Sequence, residues 1–255
     1  GNIHYLVNHS EAKVLFVDDV TWEGLDVEEM PQLKVVVLIN NLKFAYASSP
    51  ELAMVRAHLN EYFGQKYPNE FGPEDIAYAV DEAEELALIN YTSGTSGFSK
   101  GVMVPYRALW SNINFARVKA LPQLDCRTEV VSMLPLAHMY GMMFEFLYEM
   151  TIGAHVHFLT RVPSPKVILQ AFAEIRPHVV IAVPLIIEKI YKSKLKPVID
   201  RNRLFFKIPG LDSLLEKKIL KELVNAFGGN FFEVIIGGAA FNPEVERFFH
   251  SIGFP

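Results

Sequence analysis

Between Thr92 and Gly97 four hydroxyl side chains (Thr92, Ser93, Thr95, Ser96) alternate with two glycines (Gly94, Gly97), and Lys100 follows. The apolar run Leu86-Ala87-Leu88-Ile89 leads directly into them. A short apolar run that opens into Ser, Thr and Gly reads as a buried strand ending in a turn. Such a turn suits polyphosphate: glycines let successive N–H groups point at one anion, hydroxyls donate further bonds, and the lysine adds a mobile positive charge. The spacing is not that of the Walker loop, which separates its glycines by four residues before Gly-Lys-Ser/Thr. A polar surface connector fits the composition equally well.

A second group of residues could hold an organic acid. Leu134-Pro135-Leu136-Ala137-His138-Met139-Tyr140-Gly141 follows a strand-like run and opens an apolar helix. Proline ends strand pairing, and a histidine just beyond a strand sits where α/β proteins place ligands. A packed histidine capping the next helix is the alternative. In the third group, Val234-Ile235-Ile236-Gly237-Gly238-Ala239-Ala240, a strand runs into small residues. These would let a flat ring approach the backbone, or would serve a close strand-to-helix turn.

The elements that must position these groups alternate along the chain. Strands are expected at Val14–Val17, Val35–Ile39, Leu86–Tyr91, Val130–Leu134, His155–Leu159, His178–Val183 and Glu233–Ile236. Helices are expected at Asn2–His9, Ser49–Tyr62, Tyr106–Val118, Gly141–Met150, Pro165–Ile175, Pro184–Ser193, Leu211–Phe227 and Pro243–His250. This alternation predicts an α/β fold with mainly parallel sheets flanked by helices. The acidic stretch Glu70–Glu85 reads as an exposed connection. A break at Leu121-Pro122-Gln123-Leu124-Asp125 divides residues 1–125 from 126–255.

Composition narrows the function further. In 255 residues, 24 Lys and Arg face 29 Asp and Glu, a net charge of −5 with no long basic run, so no nucleic-acid partner is expected. A single cysteine, Cys126, rules out an internal disulfide and fits a reducing, cytoplasmic compartment. The longest uncharged stretch, Val130 to Phe144, is interrupted by Pro135 and too short to span a bilayer, although peripheral membrane contact stays compatible with it. His155 and His157 alternate along one strand, and no carboxylate or cysteine is evidently placed to complete a metal site with them, so zinc is not expected. The chain also begins inside an amphipathic pattern, with Gly1 resembling a cloning remnant, and reads as a piece of a longer protein.

The phosphate-type loop resembles that of the adenylate-forming superfamily, which contains acyl-CoA synthetases, luciferases and peptide-synthetase adenylation domains. The family pattern is Thr-Ser-Gly-Thr-Thr-Gly-x-Pro-Lys-Gly; here Ser96 replaces the second threonine and Ser99 the proline. The histidine segment is similar to the family's Leu-Pro-Leu-x-His-x-x-Gly, and the glycine segment to Gly-Gly-Ala-Pro-Leu, with Ala240 in place of proline. Val183-Pro184 through Glu188-Lys189-Ile190 is similar to a segment of the long-chain acyl-CoA synthetase branch.

The resemblance implies two similar α/β subdomains, each incomplete here, with a nucleotide near their junction. It implies an ATP-dependent ligase that joins a long-chain fatty acid to coenzyme A through an acyl-adenylate. By resemblance, Thr92, Ser93, Gly94, Thr95, Ser96, Gly97 and Lys100 hold the phosphates of ATP, with Thr92 also approaching Mg2+ and Thr92 and Lys100 serving catalysis. Gly238, Ala239 and Ala240 would border the nucleotide, and His138, Gly141, Met142 and Gly238 the acyl group. The family's magnesium-binding glutamate, ribose-binding aspartate and C-terminal lysine are not found in these 255 residues. The piece alone is therefore expected to be inactive and to self-associate through exposed sheet edges. The alternatives are a peptide-synthetase-type adenylation domain and a non-catalytic nucleotide-binding relative. No acidic residue stands in Ala137–Phe144 to meet a substrate amine, as the first alternative would want.

Overall fold

The structure, a computed structural model, describes residues 2–77, 81–92, 99–202 and 211–255. The chain forms two compact units: Gly1–Glu82 with Tyr91–Val102, and Ala83–Asn90 with Met103–Pro255.

The smaller unit is built on a sheet of three strands, β1 (Val14–Val17), β2 (Val35–Leu38) and β3 (Phe44–Ala47). β1 and β2 run parallel with Val14 opposite Val35, whereas β2 and β3 run antiparallel with a register shift between Val36 and Val37. The β3 strand and the helix Asp19–Glu23 were not among the elements expected from the sequence. Val7 from the helix Asn2–His9 packs with Val17, Met30, Leu33 and Val36 into a small core. The helix expected over Ser49–Tyr62 is two helices, Pro50–Ala57 and Leu59–Lys66, separated at His58. Ser49 caps the first by accepting the Leu52 N–H, and Pro50 occupies its first turn, where a missing N–H costs nothing.

Strands β4 (Leu86–Thr92) and β5 (Lys100–Pro105) pair as a two-stranded ribbon whose residues are divided between the units. β5 begins in the Lys-Gly that the sequence reading assigned to a loop.

The larger unit carries a parallel four-stranded sheet in the order β7-β6-β8-β9, formed by β6 (Glu129–Ser132), β7 (His155–Phe158), β8 (Val179–Ala182) and β9 (Glu233–Ile236). The expected α/β fold with a parallel main sheet is what forms. β8 is the unbroken apolar run Val-Val-Ile-Ala, and all four residues are buried, as a central parallel strand covered on both faces requires. β7 lies at the edge, and three of its four residues are exposed. The helix Pro165–Ile175 packs Ile168, Ala171 and Phe172 into the core, and the helix Leu211–Ala226 adds Ile219 and Leu223.

The units do not divide at residue 125. Ile113, Ala116, Leu121 and Leu124 belong to the core of the larger unit, and the Tyr148 hydroxyl donates to the Leu121 carbonyl at 2.8 Å. Leu121–Asp125, read as a break, anchors Leu121 and Leu124 in that core while Pro122 and Gln123 stay exposed. Among the described residues, no helix is long and apolar enough to cross a membrane.

Candidate functional site

The chain runs from β6 outward to β7 and then crosses to β8 on the other side of β6. The strand order therefore reverses between β6 and β8, and open parallel sheets bind ligands outside the carboxyl ends of strands at such a point. A pocket of about 360 Å³ lies there, lined by Leu134, Pro135 and His138 after β6, Tyr140 and Gly141 from the following helix, Val183 after β8 and Gly238 after β9. All three strand ends lie within the larger unit.

Local sequence explains each wall. β6 stops at Ser132, and Pro135 cannot donate to a ladder. The turn then closes with the His138 N–H donating to the Pro135 carbonyl at 3.0 Å. His138 occupies the N-cap position of the helix Met139–Met142, yet its side chain makes no capping bond and is exposed. The packed, capping histidine considered from the sequence is thus not what forms; the side chain faces the pocket region. Asn90, within β4, donates to the Ala137 carbonyl at 2.8 Å and ties this turn to that strand.

Gly141 is buried, and a Cβ there would stand 2.9 Å from the Pro135 carbonyl oxygen and 3.0 Å from the Leu134 Cβ. Its glycine serves the close approach of helix and turn. At Gly237 a Cβ would meet the Tyr140 ring at 2.8 Å, and Gly238 has φ of +82°, a left-handed conformation that glycine adopts without strain. One flat ring that lies against these small residues is the protein's own. Tyr140 lays its ring over Gly237 and donates from its hydroxyl to the Ile235 carbonyl at 3.1 Å. Burial, aided by the charge of Glu145, pushes the Tyr140 phenol up to about 12, so it remains a donor at neutral pH.

Of the residues anticipated here, His138, Gly141 and Gly238 come together in the pocket wall. Met142 is half-buried, and Ala239 and Ala240 are exposed; none of the three lines it. Tyr140 was missed as a site residue. The available signal was an aromatic one residue before the motif's glycine, in a chain that also carries a Gly-Gly pair.

Thr92 closes β4 and Lys100 opens β5, so these two exposed side chains flank the 93–99 connection on paired strands. Ser93, Gly94, Thr95, Ser96 and Gly97 lie outside the described residues. A hydroxyl and an ammonium group at exposed strand ends form a donor set that fits polyphosphate. Tyr91, next to Thr92, is held to the helix Asn2–His9 by a 2.8 Å hydrogen bond between its hydroxyl and His9 Nδ1.

Two further carboxylates escaped the sequence reading. Glu145 and Glu149 are wholly buried, one helical turn apart behind the pocket. Glu145 accepts three hydrogen bonds through Oε2, from Ser132 Oγ at 3.1 Å, Met133 N at 3.1 Å and Leu134 N at 2.8 Å. Burial raises its pKa to about 7 against the downward pull of those donors. Burial, with the charge of Glu145 added, raises Glu149 to about 8. Neither stood out in the sequence, since Glu-Phe-Leu-Tyr-Glu looks like an ordinary helix with a polar face.

His155 and His157 do share a face, and contrary to expectation a carboxylate meets them. Glu129 pairs with His155 in the strand register and reaches His155 Nδ1 at 2.9 Å and His157 Nε2 at 2.5 Å. The His157 hydrogen bond, then the His155 bond and charge, hold the Glu129 carboxyl below the usual range despite some desolvation. Each of its oxygens is taken by one imidazole, and among the described residues no group of three His, Cys, Asp or Glu is placed to hold a metal ion. Glu188, in the helix Pro184–Ile190, accepts the Asn242 N–H at 3.2 Å and so links that helix to the segment after Gly238.

Similarity to known proteins agrees with this geometry. A chicken long-chain-fatty-acid–CoA ligase, ACSBG2, is 28% identical over 76% of this chain and 25% of its own length. Long chain acyl-CoA synthetase 1 of Arabidopsis thaliana is 26% identical over 97% of the chain and 40% of its own. Among solved structures, ATP-bound MatB from Rhodopseudomonas palustris superposes with a TM-score of 0.63 at 18% identity, covering 98% of this chain and 40% of that one. A red-emitting luciferase from Phrixothrix hirtus gives a TM-score of 0.66 at 16% identity, covering 98% and 42%. At such identities the structures speak for the fold alone. The chain thus spans between a quarter and about two fifths of the length of these proteins. The family model described as AMP-binding enzyme matches residues 1–255, and the chain belongs to that family.

Proposed function

We propose that this chain is part of an ATP-dependent ligase that activates a long-chain fatty acid as its adenylate and passes it to coenzyme A. The observation that carries the reading is the pocket at the carboxyl ends of β6, β8 and β9, walled by His138, Gly141 and Gly238 in a chain of the AMP-binding family. Its relatives named above as long-chain ligases support the choice of acid.

In this reading a carboxylate oxygen attacks the α-phosphorus of ATP, the bond to the bridging oxygen of the β-phosphate breaks, and pyrophosphate leaves. The coenzyme A thiolate then attacks the acyl carbon and AMP leaves. Thr92 and Lys100 bind and neutralise the departing phosphates, which is positioning and charge stabilisation rather than covalent chemistry. Magnesium, when bound, would supply further neutralisation of phosphate charge, with the Thr92 hydroxyl among the groups that would hold it. His138 orients the acid and needs no base function, because a carboxylate is already ionised at neutral pH. The 255 residues alone do not turn over, since the family's magnesium-binding glutamate, ribose-binding aspartate and C-terminal lysine are not among them. The setting we propose is cytoplasmic, with peripheral membrane contact and self-association of the isolated piece.

The test is to supply a full-length protein containing these residues with MgATP, coenzyme A and fatty acids of graded length, and to measure AMP and thioester. Thioester rising with chain length into the long-chain range supports the reading. AMP and pyrophosphate exchange driven by amino acids instead would make it an adenylation domain of the peptide-synthetase type, and no exchange with any acid would make it a non-catalytic relative.

A further inference from the structure

We propose that Glu145 is a positioning residue for the acyl site, the brace that sets the Leu134–His138 turn; this rests on the ligase reading above. β6 ends at Ser132, so the N–H groups of Met133 and Leu134 leave the ladder inside the protein, where each needs an acceptor. Both donate to the same oxygen, Glu145 Oε2, at 3.1 and 2.8 Å, and Ser132 Oγ joins them at 3.1 Å. Glu145 rides on the π-helical turn Met143–Leu147, an irregularity that recurs at functional sites.

From the brace, order passes to the pocket through packed backbone. The Pro135 carbonyl sits against Gly141, where a Cβ would be 2.9 Å away, and accepts the His138 N–H at 3.0 Å. The His138 carbonyl in turn accepts the Met142 N–H at 3.0 Å, starting the helix that leads back to Glu145. Leu134, Pro135, His138 and Gly141, four residues of the pocket wall, stand on this closed circuit. Glu145 itself does not line the pocket and acts through the turn. Glu149, one turn further on, accepts no hydrogen bond among the described residues and has no part in the brace.

The experiment compares Glu145→Leu, which deletes the acceptor, with Glu145→Gln, which keeps an oxygen but not the charge, in a full-length protein containing this chain. Glu145→Leu is expected to raise KM for the fatty acid about tenfold or more while KM for ATP stays within about twofold, with Glu145→Gln between wild type and Glu145→Leu. Amide exchange at Met133 and Leu134 should quicken at least about fivefold in Glu145→Gln, with Val130 and Val131 unchanged. If Glu145→Leu does not fold, Glu145→Gln carries both readouts. Fatty-acid and ATP constants moving together, or unchanged exchange at Met133 and Leu134, would overturn the brace. Should wild type adenylate no fatty acid, the ligase reading fails, and exchange at the two amides still decides whether Glu145 holds the turn.

Discussion

The Tyr140 hydroxyl donates to the carbonyl of Ile235, 95 residues away in sequence, at 3.1 Å. One hydrogen bond thus joins the first helical turn after β6, whose Tyr140 lines the pocket, to strand β9, and Gly237 leaves room for the ring that makes it.

The pair should behave as a coupled unit. Gly237→Ala places a Cβ 2.8 Å from the Tyr140 ring and should cost about 1–3 kcal/mol as the ring is forced off its bond. Tyr140→Phe removes the hydroxyl alone and should cost about 1 kcal/mol. In a Tyr140→Ser background Gly237→Ala should be nearly neutral, because the clash has no partner. A denaturant-unfolding double-mutant cycle measures this, and additive costs would contradict it.

Stability should fall as pH rises through neutrality. Glu145 and Glu149 ionise near 4.5 when unfolded but near 7 and 8 when folded, so between those limits the native state binds more protons. Their contribution is therefore present at low pH and is lost progressively from about pH 4.5 to 8, a difference on the order of a few kcal/mol. The lowered carboxyls, Asp18, Glu51, Asp125 and Glu129, act in the opposite sense, but their window lies below that range. Melting temperature should be higher at pH 5.5 than at 8.5, and Glu149→Gln should flatten the difference. A melting temperature that climbs between those two values would refute this assignment.

Thr92→Ala and Lys100→Ala, in a full-length protein, should slow adenylation about 30- to 1000-fold, the cost of losing about 2–4 kcal/mol of contact with developing phosphate charge. Thioester formation from preformed acyl-adenylate should change little, because pyrophosphate has already left. Single-turnover assays of the two half-reactions separate these outcomes, and equal losses in both would point to misfolding.

His138→Ala should weaken acyl selection and rate while ATP still binds, since the imidazole lines the pocket without holding the turn that carries it. Gly141→Ala should be worse for folding than for chemistry: its Cβ meets backbone at Pro135, which cannot move aside as a side chain could. Chain-length profiles for the first variant and unfolding curves for the second decide the matter. A Gly141→Ala protein as stable as wild type would disprove the close packing.

Much of this molecule was legible in the residues themselves. Periodicity and turn chemistry are local, so Val14–Val17, Pro165–Ile175 and the apolar run of β8 could be read from their own side chains. The histidine and glycine segments could likewise be singled out, because proline fixes the backbone and glycine frees it wherever they stand. Tertiary structure alone decided which of these segments meet. The β7-β6-β8-β9 order brings Pro135, Val183 and Gly238 to one end of a sheet, and nothing within any of the three segments encodes that order. It also decided that Glu145 and Glu149 turn inward, that Glu129 faces two histidines, and that residues 103–125 join the larger unit. Burial and strand register arise from long-range packing, and the free energy that places a carboxylate inside is set by neighbours the local sequence does not contain.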